Sequence, residues 1–318
     1  MNAGPDLRPL YRRWRALVVL VLGLLAAMHG AAAETQEDNL LPLTLNVGFI
    51  RSCFLNVNRA DAESAFKVLT ESIGRKHGYR VNSRTQIFDT TAEIESAVKA
   101  GAVNLIIIDS WKYLACDLGA DMPPRFVTAE QGEIGKPYLI LTHRKSGFAT
   151  LNDLRGKGLT LLEVANTNAG KAWLDTLVRK QGDGTTPADF FGALDFADKP
   201  SAAILPVFFG KKAACLVDRF SFDLMKELNP QVGQTLRAIA ISEPFVDNVV
   251  CLSDTGWETP AAKATVLNAL AELHLDPAGQ QILLLFKIGR LLPFAEAQLD
   301  TVKQLRALHS SITPEAGK

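Results

Sequence analysis

The run Asn104 to Asp109, NLIIID, carries no polar alternation, and it restricts the fold more than any other stretch of the chain. A strand that is apolar on both faces has to be covered on both faces, which is the situation of strands in parallel α/β sheets. The residues before it agree. Leu43 to Ile50, LTLNVGFI, reads as a strand, and an amphipathic segment with Ala65, Phe66, Leu69 and Ile73 follows it, with Asp61 placed to cap that helix and Gly78 beyond its end. Val81 to Phe88 alternates as a second strand, Thr90 with Glu93 fits a capping box, and Gly101 stops the next helix. Strand, helix, strand, helix, strand predicts a parallel α/β unit.

The alternation restarts later, which predicts a second lobe. Its first member is Leu159 to Gly182, which reads as a buried strand, a polar turn at Asn166, Thr167 and Asn168, and an amphipathic helix; the strand Pro137 to His143 precedes the restart and is counted with the first lobe. A Ser201-capped segment, the strand Ala214–Asp218, a helix around Phe222 to Leu228 and the strand Leu236–Ser242 continue the pattern. After the strand Asn248–Ser253, two helices open at Thr259-Pro260 and Asp276-Pro277, with proline in the first turn. The run QQILLLFKIGRLLPF reads as a core helix, because Lys287 and Arg290 interrupt it. A last amphipathic helix carries Leu299, Val302, Leu305 and Leu308. The simplest surface for these late elements to cover is the first lobe.

Residues 1–33 have the form of a cleaved signal peptide. Four arginines precede an apolar run from Ala16 to Met28, and Ala31-Ala32-Ala33 follows. That run is shorter than the ~20 residues a membrane span needs. The full chain has 34 Lys+Arg and 34 Asp+Glu; without residues 1–33, which hold four Arg and one Asp, the net charge is near −3. That is not the balance of a nucleic-acid binder. Cys53, Cys116, Cys215 and Cys251 show no Cys-x-x-Cys spacing, and export would permit disulfides without revealing their pairing. Cys215 and Cys251 sit in apolar strands and read as buried thiols.

No catalytic motif stands out. The histidines are scattered without metal-ligand spacing, there is no nucleophile elbow, and the Gly-Lys pairs lack the upstream glycine of a phosphate loop. No cofactor or metal is expected. The stronger candidates follow strand ends, where ligands bind in open α/β sheets. Asp109, Ser110 and Trp111 follow NLIIID, and Asp218 and Arg219 close ACLVD in the same way. The turn at Asn166–Asn168 aims helix N-terminal amides at whatever fills it, which favours an anion. Each has a plainer role: Asp109 or Ser110 as a helix cap, Trp111 as packing, Arg219 in an ion pair, and the turn as an ordinary capped helix.

The segments LNVGFI, AVKAGAVNLIIIDSWKYL, LNDLRGKGLTLLEVANTNAGKAW, AACLVD, LRAIAISEPF and LDPAGQQILLLF, in this order, resemble the type 2 periplasmic solute-binding proteins. Within these the chain is similar to the phosphate/phosphite/phosphonate-binding (PhnD-like) family. The resemblance implies two α/β lobes, each a mainly parallel sheet flanked by helices, with a ligand cleft between them. It implies crossings near 144–147 and 243–247, with lobe 1 at 41–146 plus 246–318 and lobe 2 at 147–245. It further implies a periplasmic, non-enzymatic protein that closes on a small polar or anionic, phosphonate-like solute for an ABC importer. A sensory binding protein feeding a membrane kinase or chemoreceptor is the alternative, and an enzyme on the same lobes a remoter one. Ser52, Phe54, Asp109, Ser110 and Trp111 would line the cleft from the first lobe, and Asn166, Thr167, Asn168, Asp218 and Arg219 from the second. Asn166-Thr167-Asn168-Ala169-Gly170 stands where family members that bind phosphonates carry several hydroxyls. Asp109 and Asp218 facing one cleft would suit a ligand with an amine as well as an anion.

Overall fold

The computed structural model describes residues 39–54, 59–163, 168–181, 184–286 and 288–313. Residues 1–33, read as a signal peptide, lie outside them, as do Asn166 and Thr167. No helix among the described residues is long and apolar enough to cross a membrane.

In chain order, β1 (Leu41–Ile50), α1 (Arg59–Lys76), β2 (Tyr79–Phe88), α2 (Thr91–Lys99), β3 (Leu105–Asp109) and the short α3 (Ser110–Tyr113) form the expected unit. β1 pairs in parallel with both β2 and β3. The capping box is present: Glu93 N donates to Thr90 Oγ1, and the Thr90 N–H reaches back to the Glu93 carboxylate. α1 begins at Arg59, so Asp61 falls inside the helix and does not cap it. β4 (Pro124–Glu130) and the two-residue β5 (Glu133–Ile134) follow.

The chain then crosses into a second sheet of β6 (Tyr138–His143), β7 (Gly158–Leu162), β8 (Ala193–Ala197), β9 (Ala214–Asp218) and β10 (Leu236–Ile241), ordered β10-β6-β9-β7-β8. Its helices are α4 (Asn168–Arg179), α5 (Pro187–Phe190), α6 (Pro200–Phe208), α7 (Arg219–Leu228) and α8 (Pro230–Thr235). α6 is capped at Lys199 without a side-chain bond, so Ser201 lies in its first turn instead of capping it. Alternate residues of β6 face different cores. Tyr138 and Ile140 meet Leu159, Trp173 and Leu216, whereas Leu139 and Leu141 meet Ile204, Val207 and Cys215. Both faces are covered, and the strand accordingly shows no polar alternation.

The chain returns as β11 (Asn248–Leu252), α9 (Pro260–Ala271), α10 (Pro277–Leu285), β12 (Arg290–Pro293) and α11 (Asp300–Ile312). β11 inserts between β3 and β4, antiparallel to both, to give the order β12-β4-β11-β3-β1-β2. Each sheet is thus parallel on one side and antiparallel on the other, because strands entering from a crossing run against their neighbours.

Three further expectations change. Residues 138–143, assigned to the first lobe from sequence, are hydrogen-bonded into the second sheet as β6. The outward crossing is therefore Gly135 to Pro137, not 144–147. It pairs with the return crossing through an antiparallel bridge, Lys136 to Phe245. Gly135 has φ +77°, and an added Cβ would lie 2.9 Å from the Phe245 carbonyl carbon, so only glycine suits this contact. Next, QQILLLFKIGRLLPF is not one helix: α10 ends at Leu285 and β12 follows. Gly289 lies against β4, its N–H donating to Ala129 O at 2.9 Å, which turns the apolar run into an edge strand. Finally, α11 packs chiefly on the second lobe and touches the first at Trp111 and its helix. Its Val302 and Leu305 are buried with Tyr138, Leu154 and Trp173.

Candidate ligand-binding site

Asp109 ends β3 and sits at the centre of the seam, only 2% exposed. Its two oxygens do different work. Oδ1 accepts from Lys112 N at 3.0 Å and caps α3. Oδ2 accepts from Ser52 Oγ at 2.6 Å and from Asn168 Nδ2 at 3.1 Å. Ser52 lies in the single 3-10 turn Arg51–Phe54 that closes β1, next to β3 in the sheet. Asn168 opens α4, in the other lobe. Three of the residues predicted from sequence, Ser52, Asp109 and Asn168, therefore meet at one carboxylate oxygen across the seam. Phe54 ends the same turn, and its side chain is outside the described part of the structure.

Asp218 repeats the local geometry in the second lobe. It ends β9 and caps α7, with Ser221 N donating to Oδ1 at 2.8 Å and Ser221 Oγ to Oδ2 at 2.7 Å. The two strand ends are tied to the crossings in the same way. Asp109 is paired in register with Asn248 and Asp218 with Tyr138. Ser110 N donates to Asp247 O, and Arg219 N to Pro137 O, both at 2.9 Å. Asp109 and Asp218 thus both cap the helix that follows their strand and lie beside the two crossings. Among the described residues the Arg219 guanidinium makes no ion pair, with Asp218 or any other carboxylate, so the plainer role expected for it is not met.

Ser110 and Trp111 are engaged elsewhere. The Ser110 hydroxyl donates to Val246 O in the return crossing. Trp111 is half-buried beneath α11: Arg306 stands 5.0 Å from the ring centre and donates to Trp111 O at 2.9 Å, and the His309 ring meets the indole edge-on at 5.6 Å. His309 Nε2 lies 3.0 Å from Asp175 Oδ2 on α4. Trp111, α11 and α4 form one interlobe contact.

Three residues not anticipated from sequence complete the seam. Lys136, buried in the outward crossing, pairs with Asp247 at 2.9 Å. Burial alone would lower the Lys136 ammonium, but Asp247, Tyr138 and Asp218 outweigh it and hold the group well above the usual lysine range. Burial pushes the Asp247 carboxyl up, and Asp218 and Asp109 add to this while Lys136 opposes it. Tyr138, 2% exposed, is raised by burial and by the same three aspartates, against Lys136. Both partners of the ion pair move up, Asp247 chiefly through burial and Lys136 through the anionic groups around it. Gly170 on α4 lies against Tyr138, where an added Cβ would come within 2.5 Å of the ring. The one signal in the sequence was a lysine immediately before an apolar strand, which by itself reads as an exposed end.

The four cysteines are free, three of them buried. Burial raises Cys215 and Cys251, and burial with Asp109 raises Cys53, so all three are unreactive thiols. Among the described residues no group of three or more His, Cys, Asp or Glu is arranged to hold a metal ion.

The family model of the periplasmic substrate-binding protein of phosphonate ABC transporters matches residues 54–299. The chain belongs to this family. Its members bind a small ligand and deliver it to a membrane permease; they are periplasmic binding proteins, not enzymes. Solved structures share the fold. A Xanthomonas citri protein bound to ATP aligns with a TM-score of 0.59 at 16% identity, over 85% of this chain and 98% of its own. A binding-protein component of a phosphonate ABC transporter from Pseudomonas aeruginosa aligns at 0.56 and 12% identity, over 86% and 90%. PhnD1 of Prochlorococcus marinus in complex with methylphosphonate aligns at 0.55 and 13% identity, over 83% and 98%. Among curated sequences none matches the chain.

Proposed function

We propose that this phosphonate-family binding protein captures a small polar solute that carries an amine, an aminoalkyl phosphonate being the best match, and releases it to an ABC permease. The observation that carries the reading is the charge of the seam. Asp109, Asp218 and Asp247 share it with one buried ammonium, Lys136. Such a site repels a bare dianion and attracts a cation, since unscreened charges act strongly where water is excluded. The N-terminus of α4, preceded by Asn166 and Thr167, is the natural place for the anionic end of the ligand.

In this reading Asp109 and Ser52 hold the amine and Asn166, Thr167 and Asn168 the anionic group, with Asp218 adding to the negative charge and Arg219 and Phe54 as further ligand contacts. Ser110 and Trp111 serve the frame of the seam. Residues 1–33 direct export and are removed. Closure follows from ligand groups that touch both lobes and so bind the closed form better than the open one.

Thermal-shift and calorimetric titrations with 2-aminoethylphosphonate, methylphosphonate and phosphite test the proposal. The aminoalkyl compound should raise the melting temperature most, by mass action on the folded state. Equal or greater stabilisation by methylphosphonate would overturn the assignment of an amine.

A further inference from the structure

The first lobe contains a cavity that the interlobe site does not use. It has a volume of about 110 Å³ and lies between the face of β1, β2, β3 and β11 and the helices α1, α9 and α10. Its wall is made by side chains such as Leu45, Ile73, Leu105, Val250, Leu283 and Phe286.

Two observations distinguish it from slack packing. Two of the helices around it, α1 and α10, already rest on hard contacts. A Cβ on Gly74 of α1 would meet Val81 Cγ2 at 2.1 Å, and one on Gly279 of α10 would meet Leu273 O at 2.0 Å. Phe49 then acts as a wedge, stacked on Phe286 at 5.2 Å and edge-on to Phe66 at 5.7 Å, so both helices are propped from below. The second observation is chemical. A buried water needs two to four polar partners, and the wall is almost wholly apolar: of its three hydroxyls, Thr70 Oγ1 donates to Phe66 O at 2.8 Å and Thr128 Oγ1 accepts from Asn248 N at 3.2 Å, which leaves Thr265 as one hydroxyl for the whole void. A dry apolar void of about 150 Å³ binds benzene; this one, at about 110 Å³, is somewhat smaller but of the same order. His77, exposed at the rim, marks an entrance.

We propose that this cavity is a second binding site, for a benzene-sized hydrocarbon group, either an aromatic ring or a short alkyl chain, that enters beside His77. The ligand class differs wholly from that of the seam. One site is charged and shared between lobes; the other is apolar and lies inside a single lobe.

Methyl-labelled protein titrated with benzene and, separately, with pentanoate tests this. Saturable shifts should appear at Leu45, Ile73, Leu105 and Val250, while Leu161 and Leu216 of the second lobe stay fixed. Ala269→Leu, which places three more carbons in the void, should raise the melting temperature and weaken benzene binding at least tenfold. Xenon uptake followed by NMR on the unaltered chain needs no substitution and should show one saturable site at the same methyls. The proposal is overturned if neither benzene nor xenon produces saturable shifts there, or if benzene binding survives in folded Ala269→Leu.

Discussion

Asn168 donates its side-chain amide to Asp109 Oδ2 at 3.1 Å, and this bond joins one lobe directly to the other. The same oxygen takes the Ser52 hydroxyl, so a single buried acceptor holds a donor from each side of the seam. In the proposed reading, a ligand that enters displaces or extends this arrangement.

Asn168→Ala should therefore loosen the closed form without any ligand present. A hydrogen bond to a charged group contributes about 1.5–3 kcal/mol, enough to move the open population by roughly ten- to a hundredfold. Small-angle scattering of the ligand-free variant should give a larger radius of gyration than the parent. Identical curves would mean that the seam is held by other contacts.

Asp109→Asn keeps the shape of the helix cap but removes the charge. Affinity for 2-aminoethylphosphonate, measured by calorimetry, should fall about ten- to a hundredfold, again from 1.5–3 kcal/mol for a charged hydrogen bond. Methylphosphonate, which has no amine, should bind no worse. If the two compounds lose affinity equally, Asp109 does not select for the amine.

Much of this site was legible before the fold. Asp109 and Asp218 declare themselves because a strand end followed by a cap is a local pattern, set within a few residues. Ser52 follows for the same reason, being in the turn after β1. Lys136, Tyr138 and Asp247 did not, because their roles arise from the pairing of two crossings, Lys136 with Phe245, that are distant in the chain. β4 also escaped notice: Pro124 to Glu130 has neither alternation nor a continuous apolar run, and only β11 and β12 on its two sides make it a strand. The apolar run after Gln280 misled because a buried helix and an edge strand look alike when no period distinguishes them.

Lys136→Met removes the partner of Asp247 and leaves a part-buried, unpaired carboxylate beside two others. Breaking one half of such a pair costs about 3–5 kcal/mol. The sign with pH follows from the Asp247 carboxyl being raised in the folded state. A group whose folded pKa lies above its unfolded one stabilises the fold more as pH falls toward the unfolded value. Urea midpoints for Lys136→Met should thus rise from pH 8 to pH 5, and the double variant Lys136→Met, Asp247→Asn should lose that dependence. A flat profile in the single variant would refute the coupling.

Gly170→Ala sets two effects against each other. Alanine favours a helix interior by about 0.8–1.0 kcal/mol over glycine. Its methyl, however, would press on the Tyr138 ring at 2.5 Å, and overpacking a tight core costs about 1–3 kcal/mol. Steric cost should win, so the melting temperature should fall. A rise would show that Tyr138 yields without penalty.

The last helix has a consequence for how the molecule comes apart. By chain connection α11 follows β12 of the first sheet, yet Val302 and Leu305 are buried in the core of the second, and Arg306 grips Trp111 between them. Two lobes linked only by crossing strands would be free to melt separately. Here neither can lose its structure without stripping α11 from the other. Calorimetry should accordingly show a single cooperative endotherm, and removing residues 300–318 should split it in two.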